Sequence, residues 1–259
     1  MISTSVSKLI RSLHHKKFRD QHRLYVVEGE KMVRELLEER SREGHQVQQL
    51  YANATWLDQN MKQIRHKGTR FTEASTAELK KVSSQVTPQP VLALVSIPDS
   101  LPGLEALLHS TVLAFESIRD PGNLGTIIRT ADWFGISHIV CTPDSVDVFN
   151  PKVVQSTMGA IIRVKVYYRD LERLLEEPLL KDKPVYGTFM DGDNIFESAI
   201  LSYPLILFGN ESHGLTSKYD AHIHRRLSIP SFSRGGKGSE SLNIASSVAV
   251  ICSEVSRRG

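Results

Sequence analysis

The second half of the sequence carries six short apolar runs: TVLAFES (111–117), HIVCT (138–142), IIRVKVYY (161–168), PVYGTF (184–189), PLILFGN (204–210) and RRLSIPS (225–231). Helix-patterned stretches separate several of them. A strand covered on both faces reads as an unbroken apolar run, because neither side meets water. Strands of this kind alternating with helices specify an α/β domain around a mostly parallel sheet, with helices on both faces. A last helix is expected from about Leu242 to Arg258.

The first hundred residues repeat the theme on a smaller scale. A basic helix leads to the strand LYVVEG (24–29), then to the charged helix EKMVRELLEERSREG, closed by Gly44. VQQLYAN (47–53) reads as a strand and STAELKKVSS (75–84) as a short helix with a serine start. PVLALVSIP (90–98) reads as a strand buried on both faces. PDSLPG (98–103) is Pro/Gly/Ser punctuation. The expected division is a smaller α/β domain over 1–97, a linker over 98–104 and the larger α/β domain over 105–259. A chain of 259 residues has room for both.

The net charge of +3 does not point to nucleic acid, so where the charge sits matters more. Residues 8–23, KLIRSLHHKKFRDQHR, hold six Lys/Arg against one acid, Asp20, with three histidines interleaved. Lys8, Arg11, Lys16, Lys17, Arg19 and Arg23 form either a solvated helix face or an edge that contacts phosphates. Cys141 and Cys252 lie far apart in apolar surroundings and read as two buried thiols of a reducing compartment. No apolar run approaches the roughly 20 residues of a membrane span. The first residues lack a signal peptide's apolar core, so a cytoplasmic protein is expected. His222 and His224, with His213 nearby, lack the ligand spacing of a closed metal site, so no metal is expected.

Three stretches could carry chemistry. In DPGNLGTIIRTADWFG (120–135), Asn123 is a candidate helix N-cap and Leu124, Ile127, Ile128, Ala131 and Phe134 form a core stripe. Arg129 and Trp133 project elsewhere, as neighbours at i and i+4. They read either as a surface pair or as part of an interface. In LILFGNESHGL (205–215), a strand runs into Gly209 and Asn210 at the carboxyl end of a parallel sheet, where ligands bind. Gly209 would let a ligand approach the main chain, and Glu211 and Gly214 would fix the loop. An ordinary strand-to-helix turn with an Asn cap is the other reading. In LSIPSFSRGGKGSESLNIASSVAV (227–250), GGKGS is not a phosphate loop. Ser231 stands where the first glycine belongs, and Gly238 replaces the hydroxyl residue after Lys237. What remains is a glycine loop feeding a helix whose first turn holds Ser241 and Asn243. Amides at that helix start, with these two side chains, could hold an anion; the other reading is simple capping of the helix by Ser241. No GxGxxG follows the first strand of this half, which excludes a conventional dinucleotide site.

Taken together and in order, these stretches resemble the SpoU-type RNA ribose 2′-O-methyltransferases of the SPOUT superfamily. NLGTIIRTA matches the first motif (Asn123, Gly125, Arg129, Ala131). FGNESHGL matches the second (Gly209, Asn210, Glu211, Gly214), and Ile229-Pro230 followed by SLNIASSVAV matches the third. KFRDQHRLYVVEGEKMVRELL and TPQPVLALV resemble the family's N-terminal RNA-binding domain, which is similar to certain ribosomal proteins. The resemblance implies a C-terminal α/β domain with a deep trefoil knot, a rare exception to the rule against threaded chains. It implies S-adenosylmethionine held there by backbone groups, with Thr188, Gly209, Asn210, Ile229 and Leu242 at the cofactor. It also implies a catalytic set of Asn123, Arg129, Glu211, Ser241 and Asn243, a structured rRNA or tRNA substrate, and a homodimer through the knotted domain. The sequence departs from the family pattern between Pro230 and Ser241, a longer stretch richer in glycine and basic residues, where Arg234 and Lys237 read as extra phosphate contacts. The competing expectation is a non-catalytic RNA-binding or ribosome-assembly factor that keeps the fold.

Overall fold

In a computed structural model, residues 1–38, 44–99, 103–233 and 241–258 are described. The described residues run in chain order as α1 (Thr4–Ser12), α2 (Lys16–His22), β1 (Leu24–Glu28), α3 (Glu30–Leu37), β2 (Val47–Ala52), α4 (Ala54–His66), β3 (Phe71–Glu73), α5 (Thr76–Val82) and β4 (Val91–Ser96). They continue as β5 (Val112–Phe115), α6 (Pro121–Trp133), β6 (His138–Cys141), α7 (Pro151–Thr157), β7 (Lys165–Tyr168), α8 (Leu171–Leu175), β8 (Val185–Asn194), β9 (Leu205–Phe208), β10 (Arg225–Ser228) and α9 (Ile244–Arg258). Two compact units result: Met1–Ser100 with Asp147–Arg163, and Leu101–Val146 with Val164–Gly259.

The first unit is built on a four-stranded sheet in the order β1-β4-β2-β3, with β4 antiparallel to both neighbours and β2 parallel to β3. The central β4 is the apolar run expected to be covered on both faces, and Val91 to Val95 are all buried. α5 begins with the expected serine. Ser75 Oγ accepts from the Glu78 amide, and the Glu78 carboxylate accepts from the Ser75 amide, a reciprocal cap. Helix α4 and strand β3 were not read from the sequence. The apolar pattern of α4 is broken by Asn60, which is buried and donates to the Trp56 carbonyl.

Asp147–Arg163 lies in the second half of the sequence but packs with the first unit. This corrects one expected phosphate contact: Arg19 is 2% exposed. Its Nε donates to Asp147 Oδ2 at 3.0 Å and its Nη1 to the Leu13 carbonyl at 2.8 Å, so it is not available to RNA. A buried guanidinium needs such partners, and removing one from a buried pair costs about 3–5 kcal/mol. Tyr25 packs its ring 4.8 Å from that of Phe149, and Gln85 donates to Gln155, further fastening the segment. Lys8, Arg11, Lys16 and Lys17 are exposed. Arg23, also exposed, donates to the Pro98 carbonyl at 2.6 Å.

The second unit holds a six-stranded, wholly parallel sheet in the order β10-β8-β9-β5-β6-β7; five strands lie within the runs read from the sequence, and β8 begins in PVYGTF but continues past it to Asn194. β6 and β7 are laid outward from β5 in one direction, and β9, β8 and β10 occupy its other side. The order therefore reverses between β5 and β9, the position where sheets of this class bind ligands. Phe115 and Phe208 stack across that pair, with ring centroids 5.0 Å apart. β8 leaves the ladder beside β10: Arg226 pairs with Gly187, but the next residue, Leu227, pairs with Asp193. The guanidinium of Arg226 lies 3.6 Å over the Phe189 ring and 3.0 Å from Asp191, which closes the excursion of residues 188–192. Cys141 and Cys252 are free and buried, and burial pushes the Cys252 thiol up to about 12. Among the described residues no helix is long and apolar enough to cross a membrane, and no group of three or more His, Cys, Asp or Glu could hold a metal ion.

Glu78 also accepts from the Ile2 amide at 2.7 Å. Hydrogen bonds from the Ser75 amide, the Ile2 amide and the Ser75 hydroxyl, in that order, hold its carboxyl at about 2, below the ordinary 4.5. The folded state thus favours the carboxylate. Its stabilisation is present above pH 4.5 and is lost as pH falls toward 2. Glu78→Gln is expected to remove this part of the acid-side slope, measured by urea unfolding at stepped pH. An unchanged slope would refute the assignment.

Candidate active site at the β5–β9 switch point

The N-terminus of α6 is built differently from the sequence expectation, and the difference creates the site. Asp120, not Asn123, is the N-cap: its Oδ1 accepts from the Asn123 amide at 2.8 Å, and Pro121 fills the first turn. The Asn123 side chain is thereby released from capping. It donates through Nδ2 to Glu211 Oε1 at 3.2 Å and accepts through Oδ1 from Asn243 Nδ2 at 3.0 Å. Asn243 in turn accepts from the Ala245 amide at 2.9 Å, at the start of α9. Asn243, rather than Ser241, therefore makes the capping contact there.

These bonds run in one sense: backbone N–H to Asn243, Asn243 to Asn123, Asn123 to carboxylate. A backbone amide can only donate and an ionised carboxylate can only accept, so the two ends fix both amide orientations between them. The three expected motifs, more than a hundred residues apart at their extremes, meet in one polar chain. All its bonds are at least partly open to water, where a hydrogen bond contributes about 1 kcal/mol. Such a chain orients side chains rather than holding the fold.

The loop after β9 is tightly closed. Asn210 and Gly214 exchange both backbone hydrogen bonds, at 3.0 and 2.9 Å. Asn210 Nδ2 donates to the Ser117 carbonyl at 2.8 Å, and its Oδ1 accepts from the Ser212 amide. Its side chain and its backbone N–H and C=O are thus all engaged within the loop and its flank. A Cβ at Gly209 would lie 2.0 Å from the backbone of Gly214 and Leu215. The requirement for glycine there comes from the loop's own main chain, not from the approach of a ligand.

Thr188 spends its hydroxyl on the Leu207 carbonyl at 3.0 Å. Ile229 follows β10 directly and is half-buried, while Leu242 is 51% exposed. β10, β8 and β9 are neighbours in the sheet, so Thr188, Gly209 and Ile229 belong to one edge. Backbone groups beside uncovered apolar side chains are the donor set that a neutral nucleoside with a sulfonium tail requires, so the residues fit S-adenosylmethionine. Residues 234–240 of the glycine-rich stretch, including Arg234 and Lys237, lie outside the described residues.

Arg129 is exposed on α6 and carries no hydrogen bond or ion pair among the described residues. It stands six residues beyond Asn123, about 9 Å along the helix axis. Trp133, one turn further, is 84% exposed. Ser241 is exposed and likewise without a bond among the described residues. The structure joins Asn123, Glu211 and Asn243 but does not bond Arg129 or Ser241 to them.

The architecture and site define a class: a doubly wound, parallel α/β protein with a polar site at its topological switch point and no dinucleotide fingerprint. Residues 110–253 match the SpoU rRNA Methylase family, and residues 6–93 match the MRM3-like substrate binding domain. The chain belongs to the SpoU family. It is 27% identical over 242 residues to the 23S rRNA (guanosine(2553)-2'-O)-methyltransferase RlmP of Bacillus subtilis, covering 93% of this chain and 92% of that protein. A solved structure described as a putative RNA methyltransferase of the TrmH family, from Porphyromonas gingivalis, is 34% identical. It superposes with a TM-score of 0.85 and is covered in full, as is this chain. An AdoMet-bound rRNA methyltransferase from Sinorhizobium meliloti is 26% identical with a TM-score of 0.83, covering 99% of this chain and 97% of that one.

Asn123→Leu, close in size, removes both the donor facing Glu211 and the acceptor facing Asn243. It is expected to open the polar chain at both joints and so to speed hydrogen exchange of the Ala245 amide. Exchange indistinguishable from that of the unaltered protein would remove Asn123 from the chain.

Proposed function

We propose that this SpoU-family protein, an S-adenosylmethionine-dependent RNA ribose 2′-O-methyltransferase, acts on ribosomal RNA and uses Arg129 to stabilise the attacking ribose oxygen. The observation that carries the reading is the joining of Asn123, Glu211 and Asn243 beside the strand edge fitted to the methyl donor. A module that only bound RNA would have no need for that chain, which disfavours the assembly-factor alternative. The RNA class follows the relatives: RlmP is named for 23S rRNA.

Bound S-adenosylmethionine supplies an electrophilic methyl group on a positively charged sulfur. The protein's part is to align the hydroxyl and assist loss of its proton. Alignment of this kind contributes about 7–11 kcal/mol in favourable cases. Guanidinium is effectively always protonated, so Arg129 is no general base. Its positive charge instead favours the developing alkoxide, and water takes the proton. Asn123, Glu211, Ser241 and Asn243 orient the ribose.

Two structural elements complete the reading. The C-terminal segment that ends in α9 passes through a loop to form a trefoil knot; the packing of α9 against α6 supports this. A second copy covers Trp133 through the knotted domain, bringing Arg129 into a closed site; the 84% exposure of Trp133 supports this. Residues 1–97 bind the RNA, with Lys8, Arg11, Lys16, Lys17 and Arg23 facing phosphates, in the cytoplasm where ribosomal RNA is accessible.

Arg129→Ala is expected to lower methyl transfer about 10³-fold, the scale of a lost oxyanion donor, while calorimetric affinity for S-adenosylmethionine stays within about twofold. Retained transfer would sink the assignment. Charge reversal at Lys16 and Lys17 is expected to weaken RNA binding and reduce the slope of log K against log salt by about 2. An unaltered slope would return these lysines to a purely solvated role.

A further inference from the structure

The residue that fixes the cofactor loop lies outside all three motifs. Glu116, immediately after β5, is 6% exposed, a buried carboxylate that must be paired. Its Oε2 accepts from the Thr216 amide at 2.9 Å and its Oε1 from the Thr216 hydroxyl at 2.9 Å. Lys218 Nζ stands 3.1 Å from the same Oε1. Lys218 also lies 4.7 Å from the centre of the Tyr219 ring, which is 1% exposed. Among the described residues, the donors to the Glu116 side chain all come from the segment that leaves the loop after β9.

The next residue holds the loop's other flank. The Ser117 carbonyl accepts from Asn210 Nδ2. Ser117 adopts φ 52, a left-handed conformation unfavourable for a residue with a side chain. It is held there by its amide, which donates to Thr142 Oγ1 at 2.8 Å, and by a hydrogen bond from its hydroxyl to Asp144. Non-glycine residues in such conformations persist where their surroundings over-determine them, commonly at functional sites. Glu116 and Ser117 thus grip residues 216 and 210, the two ends of a loop whose Gly209 leaves no room beside Gly214.

We infer that Glu116 is a positioning residue for methyl-donor binding. It acts through Thr216 to press Gly214–Leu215 against Gly209 and so fix the backbone that meets S-adenosylmethionine. The inference rests on the methyltransferase reading above. Glu211 retains its separate bond to Asn123, so the catalytic end of the loop keeps an anchor when Glu116 is lost. The effect therefore falls on donor affinity more than on turnover.

Glu116→Gln keeps the shape of the side chain but removes its charge and turns one acceptor into a donor. The full chain should show a KM for S-adenosylmethionine raised about five- to tenfold, kcat within twofold and an unchanged KM for RNA. Thr216→Val, at an exposed position, removes only the hydroxyl donor and should shift the same constant in the same direction by less. It also serves if the Glu116 variant fails to fold. A merely structural role would lower apparent kcat by loss of folded enzyme and leave KM for the donor in place; that pattern, or unchanged donor KM in both variants, overturns the inference. If the unaltered protein shows no calorimetric binding of S-adenosylmethionine, the methyltransferase reading itself fails and this inference with it. Normal donor binding by the unaltered protein, with unchanged donor KM in the variants, sinks the positioning role alone.

Discussion

The candidate site of the second unit depends on a directional hydrogen-bond chain from the Ala245 amide through Asn243 and Asn123 to Glu211. Its members come from the starts of two helices and from a loop between strands. None can be turned over without facing donor to donor or acceptor to acceptor. For that chain to form, Asp120 must cap α6 in place of Asn123, the loop after β9 must be shut around Gly209, and α9 must begin beside α6. Local capping chemistry, backbone crowding and the return path of the chain thus converge on a few ångströms.

The charged groups divide by burial. Arg19, Glu116 and Glu28 are buried and each is met by several donors or acceptors, as the cost of an unpaired buried charge requires. Arg129, Lys16 and Lys17 are exposed, and a free cation on the surface is available to a phosphate or a ribose oxygen. The basic run at residues 8–23 mixes both kinds. Its sequence has no mark that separates Arg19 from Lys16, because the partner of Arg19 lies 128 residues away at Asp147.

Much of the architecture was legible. All six strands of the parallel sheet begin in the apolar runs and five fall wholly within them, since burial on two faces leaves an unmistakable pattern. The serine start of α5 and the stripe of Leu124, Ile127, Ile128 and Ala131 were also legible, because each depends on neighbours within a few residues. Helix ends were less so: α3 stops at Leu37 rather than at Gly44, and α9 starts at Ile244 rather than Leu242. The assignment of Asp147–Arg163 to the first unit, the excursion of β8 and the buried brace at Glu116 left no local signal. Nothing in TVLAFES distinguishes a carboxylate destined for water from one destined for Thr216.

By itself, the sequence determined the class of sheet, the helix faces and the chemical identity of the site residues, because these follow from hydrophobic period and side-chain type over short distances. Only the tertiary structure decided which asparagine caps and which reaches across, which arginine is buried and which is free, and why Gly209 must be glycine. Each of those outcomes depends on which atoms arrive from a distant part of the chain, and a hydrogen bond or a clash exists only once both partners are in place.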